Sequence, residues 1–267
     1  MRTSMKPPNP APAATSNPAV PKRVIPRPPD NRPGSPAPWA GLPADERVGI
    51  SLDRVRAALA GDGPSERTSG PGPAPAPFPD APGSDGRPAA VLVALFEEDG
   101  EARVVLTVRS GRLRSHTGEV AFPGGRVEQG ESVVEAALRE ASEEVALDPE
   151  QVTVIRALTA MPTISSNTYM TPIVGTLGSR PSLRPSPAEV DRIFDVALSE
   201  LVADDAFHEE WWSVPGRTPP AGLPDGEFPV WFFDVADETV WGATARTLVE
   251  LLCVVLGVAL PATLRAR

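Results

Sequence analysis

Cysteine is nearly missing from this 267-residue chain: Cys253 stands alone, so no disulfide can form within it. That fits a reducing compartment. Basic residues are also in deficit, 25 against 35 acids, for a net charge of −10. The balance argues against a nucleic-acid or anionic-membrane binder, since both need a broad basic surface. Long apolar runs are absent too. The longest, residues 251–260, is too short to cross a bilayer. Residues 1–10 hold no apolar run that would read as a secretory signal. A soluble, cytoplasmic protein is expected.

What the chain has in excess is proline, and unevenly: 21 of 34 fall within residues 1–88. Residues 1–40 lack apolar periodicity and read as a disordered tail. Within 41–88, Ile50, Val55, Ala58 and Leu59 predict a short helix, followed by a Pro/Gly-rich linker. The compact domain is expected over 89–265. Val/Leu-rich runs at 89–96 and 102–109, split by a polar turn, predict a hairpin. A helix is expected over 132–145, and strands near 152–160, 169–177, 190–196 and 229–235. A last helix is expected over 242–256. Such interleaving without a regular strand–helix count predicts an α/β fold with a mixed sheet.

The helix at 132–145 concentrates acids. With about 100° between successive residues, Glu144 sits some 40° to one side of Glu140 and Glu143 some 60° to the other. All three share a face, apart from a stripe of Val134, Ala137, Leu138, Ala141 and Val145. Alone, such a run reads first as a solvated acidic face. Yet three oxygen donors on a rigid element also suit Mg²⁺ or Mn²⁺. Just upstream, Arg109, Arg112, Arg114, His116 and Arg126 face one acid, Glu119, and Pro123-Gly124-Gly125 lets backbone approach a ligand. Alone, this is a loop with solvated arginines. Together, the two segments suit a diphosphate. His208-Glu209-Glu210-Trp211-Trp212 is not a zinc-protease motif, because its last position is tryptophan. Tyr169 and Asn167, on a loop, are candidates to line a pocket, and Cys253 reads as core.

Gly125, five residues, Glu131, seven residues, then Arg139-Glu140-Ala141-Ser142-Glu143-Glu144-Val145-Ala146-Leu147 resembles the Nudix box, GX5EX7REUXEEXGU. Ala146 departs from the glycine of that pattern, and Ala141 is small for U. Leu106-Thr107-x-Arg109-Ser110, Leu113-Arg114-x-His116-x-Gly118 and Phe122-Pro123-Gly124-Gly125 resemble the segment preceding the box in coenzyme A diphosphatases. The resemblance implies a Nudix α/β/α sandwich and Mg²⁺- or Mn²⁺-dependent attack of water on a diphosphate. Glu140, Glu143 and Glu144 would be metal ligands, supported by Glu131 and Arg139. Glu189 would be a further ligand or the general base, and Arg109, Arg114, His116, Gly124 and Gly125 would meet the substrate. That substrate would be coenzyme A or acyl-coenzyme A. The alternatives are another nucleoside diphosphate derivative, such as NADH or ADP-ribose, and a scaffold without catalysis. The expected partner is thus a small molecule, with oligomerisation open.

Overall fold

The computed structural model describes residues 25–60, 87–113, 116–163, 168–213 and 226–265. In chain order its principal elements are β1 (Arg32–Pro33), α1 (Leu52–Leu59), β2 (Arg87–Glu98), β3 (Glu101–Arg109), β4 (Val120–Ala121), β5 (Gly124–Arg126) and α2 (Val133–Val145). Then follow β6 (Thr153–Ala157), β7 (Met161–Pro162), β8 (Thr168–Thr176), β9 (Val190–Ala197), α3 (Leu198–Leu201), β10 (Phe207–Ser213), β11 (Glu227–Val235), β12 (Glu238–Trp241), α4 (Gly242–Leu256) and α5 (Ala262–Arg265).

The larger sheet is mixed. β2 runs parallel to β8 along its length, and its other pairings, with β3 and β5, are antiparallel. Residues 89–96 of β2 are all buried, because both faces of the sheet are covered. One face, bearing Ala90, Leu92, Ala94, Phe96, Val105 and Ile173, packs on Ala136, Ala137, Ala141 and Val145 of α2. The other, bearing Val91, Val93, Leu95, Val104, Leu106 and Val174, packs on α1 and α4. The fold is an α/β/α sandwich with a mixed sheet, as expected. No described helix is long and apolar enough to cross a membrane.

A second sheet, ordered β1-β10-β11-β12, adds to one side. Its inner residues Trp231, Phe233 and Val240 join the core that α4 shares. The strand at 207–213 carries two acids, a residue type depleted in strands, so its sequence hides it. Glu209 is tolerated there because its carboxylate accepts from the Trp231 indole at 2.8 Å and the Ser35 amide at 3.0 Å.

Residues 1–24 and 61–86 lie outside the described residues, and most of the expected tail and linker with them. Of residues 25–40, within the expected tail, most are exposed, but Ile25 and Trp39 are buried. β1 pairs with β10, and buried Trp39 lies against Phe207 and Phe233, with centroids 5.3 and 6.2 Å away. The predicted helix at 48–60 forms as α1, capped by Ser51, and buries Leu52, Val55 and Leu59. It belongs to the main core rather than to a separate segment. The reason is local: a few large apolar residues among prolines suffice to dock a segment whose average composition looks unstructured.

Candidate metal and diphosphate site

The helix that carries the acids is well specified. Ser132 and Glu135 form a capping box at its start: the Glu135 amide donates to Ser132 Oγ, and the Ser132 amide to Glu135. At its end Ala146 adopts the left-handed conformation, φ 56° and ψ 32°, and its amide reaches the Ala141 and Ser142 carbonyls. The turn that glycine would favour is therefore made with alanine, at a cost of about 1–2 kcal/mol. The chain beyond crosses back over this helix end. The Arg184 amide donates to the Val145 carbonyl at 2.9 Å and the Ser186 amide to the Glu144 carbonyl at 2.8 Å. These two bonds tie residues 184–189 to the helix and bring Glu189 beside it.

Carboxylate oxygens of Glu140, Glu144 and Glu189 all lie within 4.8 Å of one another. Glu144 is the deepest, only 2% exposed, and its carboxylate accepts from the Gly124 amide at 3.0 Å. Burial pushes it up to about 7, the Gly124 bond and Arg109 oppose the rise, and Glu189 and Glu140 add to it. Glu140 is also raised, first by burial, against the pull of Arg139. Acids left this costly to ionise want a cation, and the all-oxygen donor set fits a hard divalent ion.

The two glycines create the space. Gly124, at φ 158°, lies where a Cβ would strike the Ala90 carbonyl and Val91. A Cβ on Gly125 would collide with the Glu140 carboxylate itself. Both belong to β5, which pairs with β2 and presents its backbone to α2.

Arg139 locks the near end. Its Nε donates to Glu131 Oε1 at 2.8 Å and its Nη2 to Glu131 Oε2 at 3.1 Å, while Nη2 also reaches the Arg126 carbonyl at 3.0 Å. These bonds hold Glu131 below the usual carboxylate range. Arg139 Nη1 lies 3.1 Å from Glu140 and 3.2 Å from Glu143. Arg139 thus bridges Glu131 to Glu140 and Glu143.

The structure divides the three glutamates that the helical wheel placed together. Glu143 is exposed, turned to Arg139, and stands outside the cluster. The physical reason is that Glu143 and Glu144 are about 100° apart, so when one is buried against β5 the other faces solvent. Glu189, a residue the helix could not supply, completes the cluster.

Arg109 Nη1 lies 3.7 Å from Glu144 Oε1. His116, in the turn between β3 and β4 at φ 57°, holds Glu119 through Nδ1 at 2.7 Å. Arg114 and Asn167 lie outside the described residues. Tyr169 sits within β8, not on a loop. The tryptophans at 212 and 231 are buried, and so is Cys253, whose thiol burial pushes up to about 12.

The fold is thus a mixed α/β/α sandwich with a glycine-opened carboxylate cluster between its first long helix and the 184–189 crossing. Residues 86–238 match the NUDIX domain, and the chain belongs to that family. It is 37% identical over 176 residues to Nudix hydrolase 22, chloroplastic, of Arabidopsis thaliana, covering 62% of this chain and 55% of that protein. It is 38% identical over 169 residues to an uncharacterized Nudix hydrolase, NudL, of Photorhabdus laumondii, covering 62% and 84%. The chain thus spans little more than half the length of the plant relative. Among solved structures, a C. elegans Ap4A hydrolase binary complex is matched at 23% identity and TM-score 0.35, over 40% of this chain and 76% of that one.

Proposed function

We propose that this protein is a divalent-metal-dependent diphosphatase whose substrate is coenzyme A or acyl-coenzyme A. The products would be 4′-phosphopantetheine and adenosine 3′,5′-bisphosphate. The observation that carries the reading is the cluster of Glu140, Glu144 and Glu189 in a space that Gly124 and Gly125 leave open. These three would hold Mg²⁺ or Mn²⁺. Such an ion supplies Lewis acidity toward a diphosphate oxygen and eases deprotonation of water. The chain's own residues prepare the site. The Gly124 amide fixes Glu144, Arg139 orients Glu140, and the 184–189 crossing delivers Glu189. Glu143 is exposed and paired with Arg139.

The finer assignment to coenzyme A rests on the segment from Leu106 to Gly125. It carries Arg109, 3.7 Å from Glu144, and Gly124, whose amide donates to Glu144. Incubating the protein with coenzyme A and Mg²⁺ or Mn²⁺ should release 4′-phosphopantetheine, read by mass spectrometry. Cleavage of ADP-ribose or NADH without cleavage of coenzyme A would replace this substrate by another nucleoside diphosphate derivative. Against a scaffold without catalysis stand the intact Glu131, Arg139, Glu140, Glu143 and Glu144.

A further inference from the structure

The two arginines beside the carboxylate cluster are held in different ways. Arg139 is fixed by hydrogen bonds from all three of its guanidinium nitrogens. Arg109 makes no side-chain hydrogen bond among the described residues. Its Nε is buried without a partner, and its contact with Glu144, at 3.7 Å, is ionic only. Its backbone is nevertheless pinned: the Arg109 amide donates to the Glu119 carbonyl and its carbonyl accepts from Gly118, both at 2.9 Å. The next amide, of Ser110, donates to the Glu189 carbonyl at 2.8 Å. The register of β3 against β9 shifts between Val108 and Arg109. Such irregularities re-aim side chains. One corner of β3 therefore places a loosely held cation against Glu144 and bonds the backbone of Glu189, just before β9.

We infer that Arg109 is the exchangeable counter-cation of the cluster: it neutralises Glu144 in the metal-free protein and gives that carboxylate up when a divalent ion binds. This rests on the metal-site reading above. Three acids within 4.8 Å repel one another, and among the described residues Arg109 is the only cation paired with the buried one. Once displaced, the guanidinium carries an unsatisfied Nε–H and a free charge, which suit a diphosphate oxygen. Arg109 is thus a positioning residue of the empty site and a substrate contact of the filled one, two roles that exclude each other in time.

Mn²⁺ binding without substrate, followed by electron paramagnetic resonance, separates the possibilities. Arg109→Gln should bind Mn²⁺ about fivefold more tightly than the parent, the upper range for loss of a partly exposed ion pair. Arg109→Lys, which keeps the charge, should bind as the parent does. Unchanged or weaker binding in Arg109→Gln overturns the inference while leaving the metal site standing. Failure of the parent to bind Mn²⁺ overturns both. A second measurement needs no variant. In arginine-labelled protein, Mg²⁺ should shift the Arg109 Nε–H resonance and leave that of Arg139 in place, and a static Arg109 signal would refute the exchange.

Discussion

At the scale of single residues, Glu144 concentrates the chemistry. It is buried, hydrogen-bonded to Gly124 and raised to about 7 mainly by desolvation. Replacing it by Gln keeps the shape and the Gly124 bond but removes the charge. Glu144→Gln should lose at least a hundredfold in turnover, roughly the scale of lost electrostatic stabilisation at a reacting centre, with an unchanged circular dichroism spectrum. Near-normal turnover would sink the metal assignment. The same residue sets a pH dependence. Its folded value lies above the usual 4.5, so the metal-free native state binds its proton more tightly than the unfolded chain. The resulting stability is complete below about 4.5 and lost as pH rises through about 7. Melting of the metal-free parent should therefore fall relative to Glu144→Gln across that window.

At the scale of elements, α2 is a helix whose beginning is optimised and whose end is not. The capping box satisfies its first amides, whereas Ala146 holds a conformation that suits glycine. Ala146→Gly should raise stability by about 1 kcal/mol in urea unfolding, the left-handed penalty less the added freedom of glycine when unfolded. No gain would mean that the crossing chain, through Arg184 and Ser186, already relieves the strain. The hydrophobic period of this helix was legible in advance, as were the hairpin and the final helix. Strand β10 was not, because its buried Glu209 is made acceptable by partners 22 and 174 positions away, Trp231 and Ser35.

At the scale of the whole molecule, the proline-rich leader is not all appendage. Trp39 packs on both Phe207 and Phe233 and links residues 25–60 to the second sheet and α4. Trp39→Ala should cost about 3–5 kcal/mol in stability, as large-to-small core changes do, measured by chemical unfolding. A loss under about 1 kcal/mol would return this segment to the status of a tail.

The sequence by itself determined the periodic elements, the acidic helix and the spacing from Gly125 through Glu131 to Glu144. Each of these depends on residues near one another in the chain, where helical geometry is the only conversion needed. Tertiary structure decided which of the named acids lie together. The wheel put Glu143 with its neighbours, but packing against β5 buried Glu144 and turned Glu143 to Arg139. Glu189 arrived through a crossing whose amides pair with helix-end carbonyls. Burial and long-range backbone bonds set those positions, and neither leaves a period in the sequence.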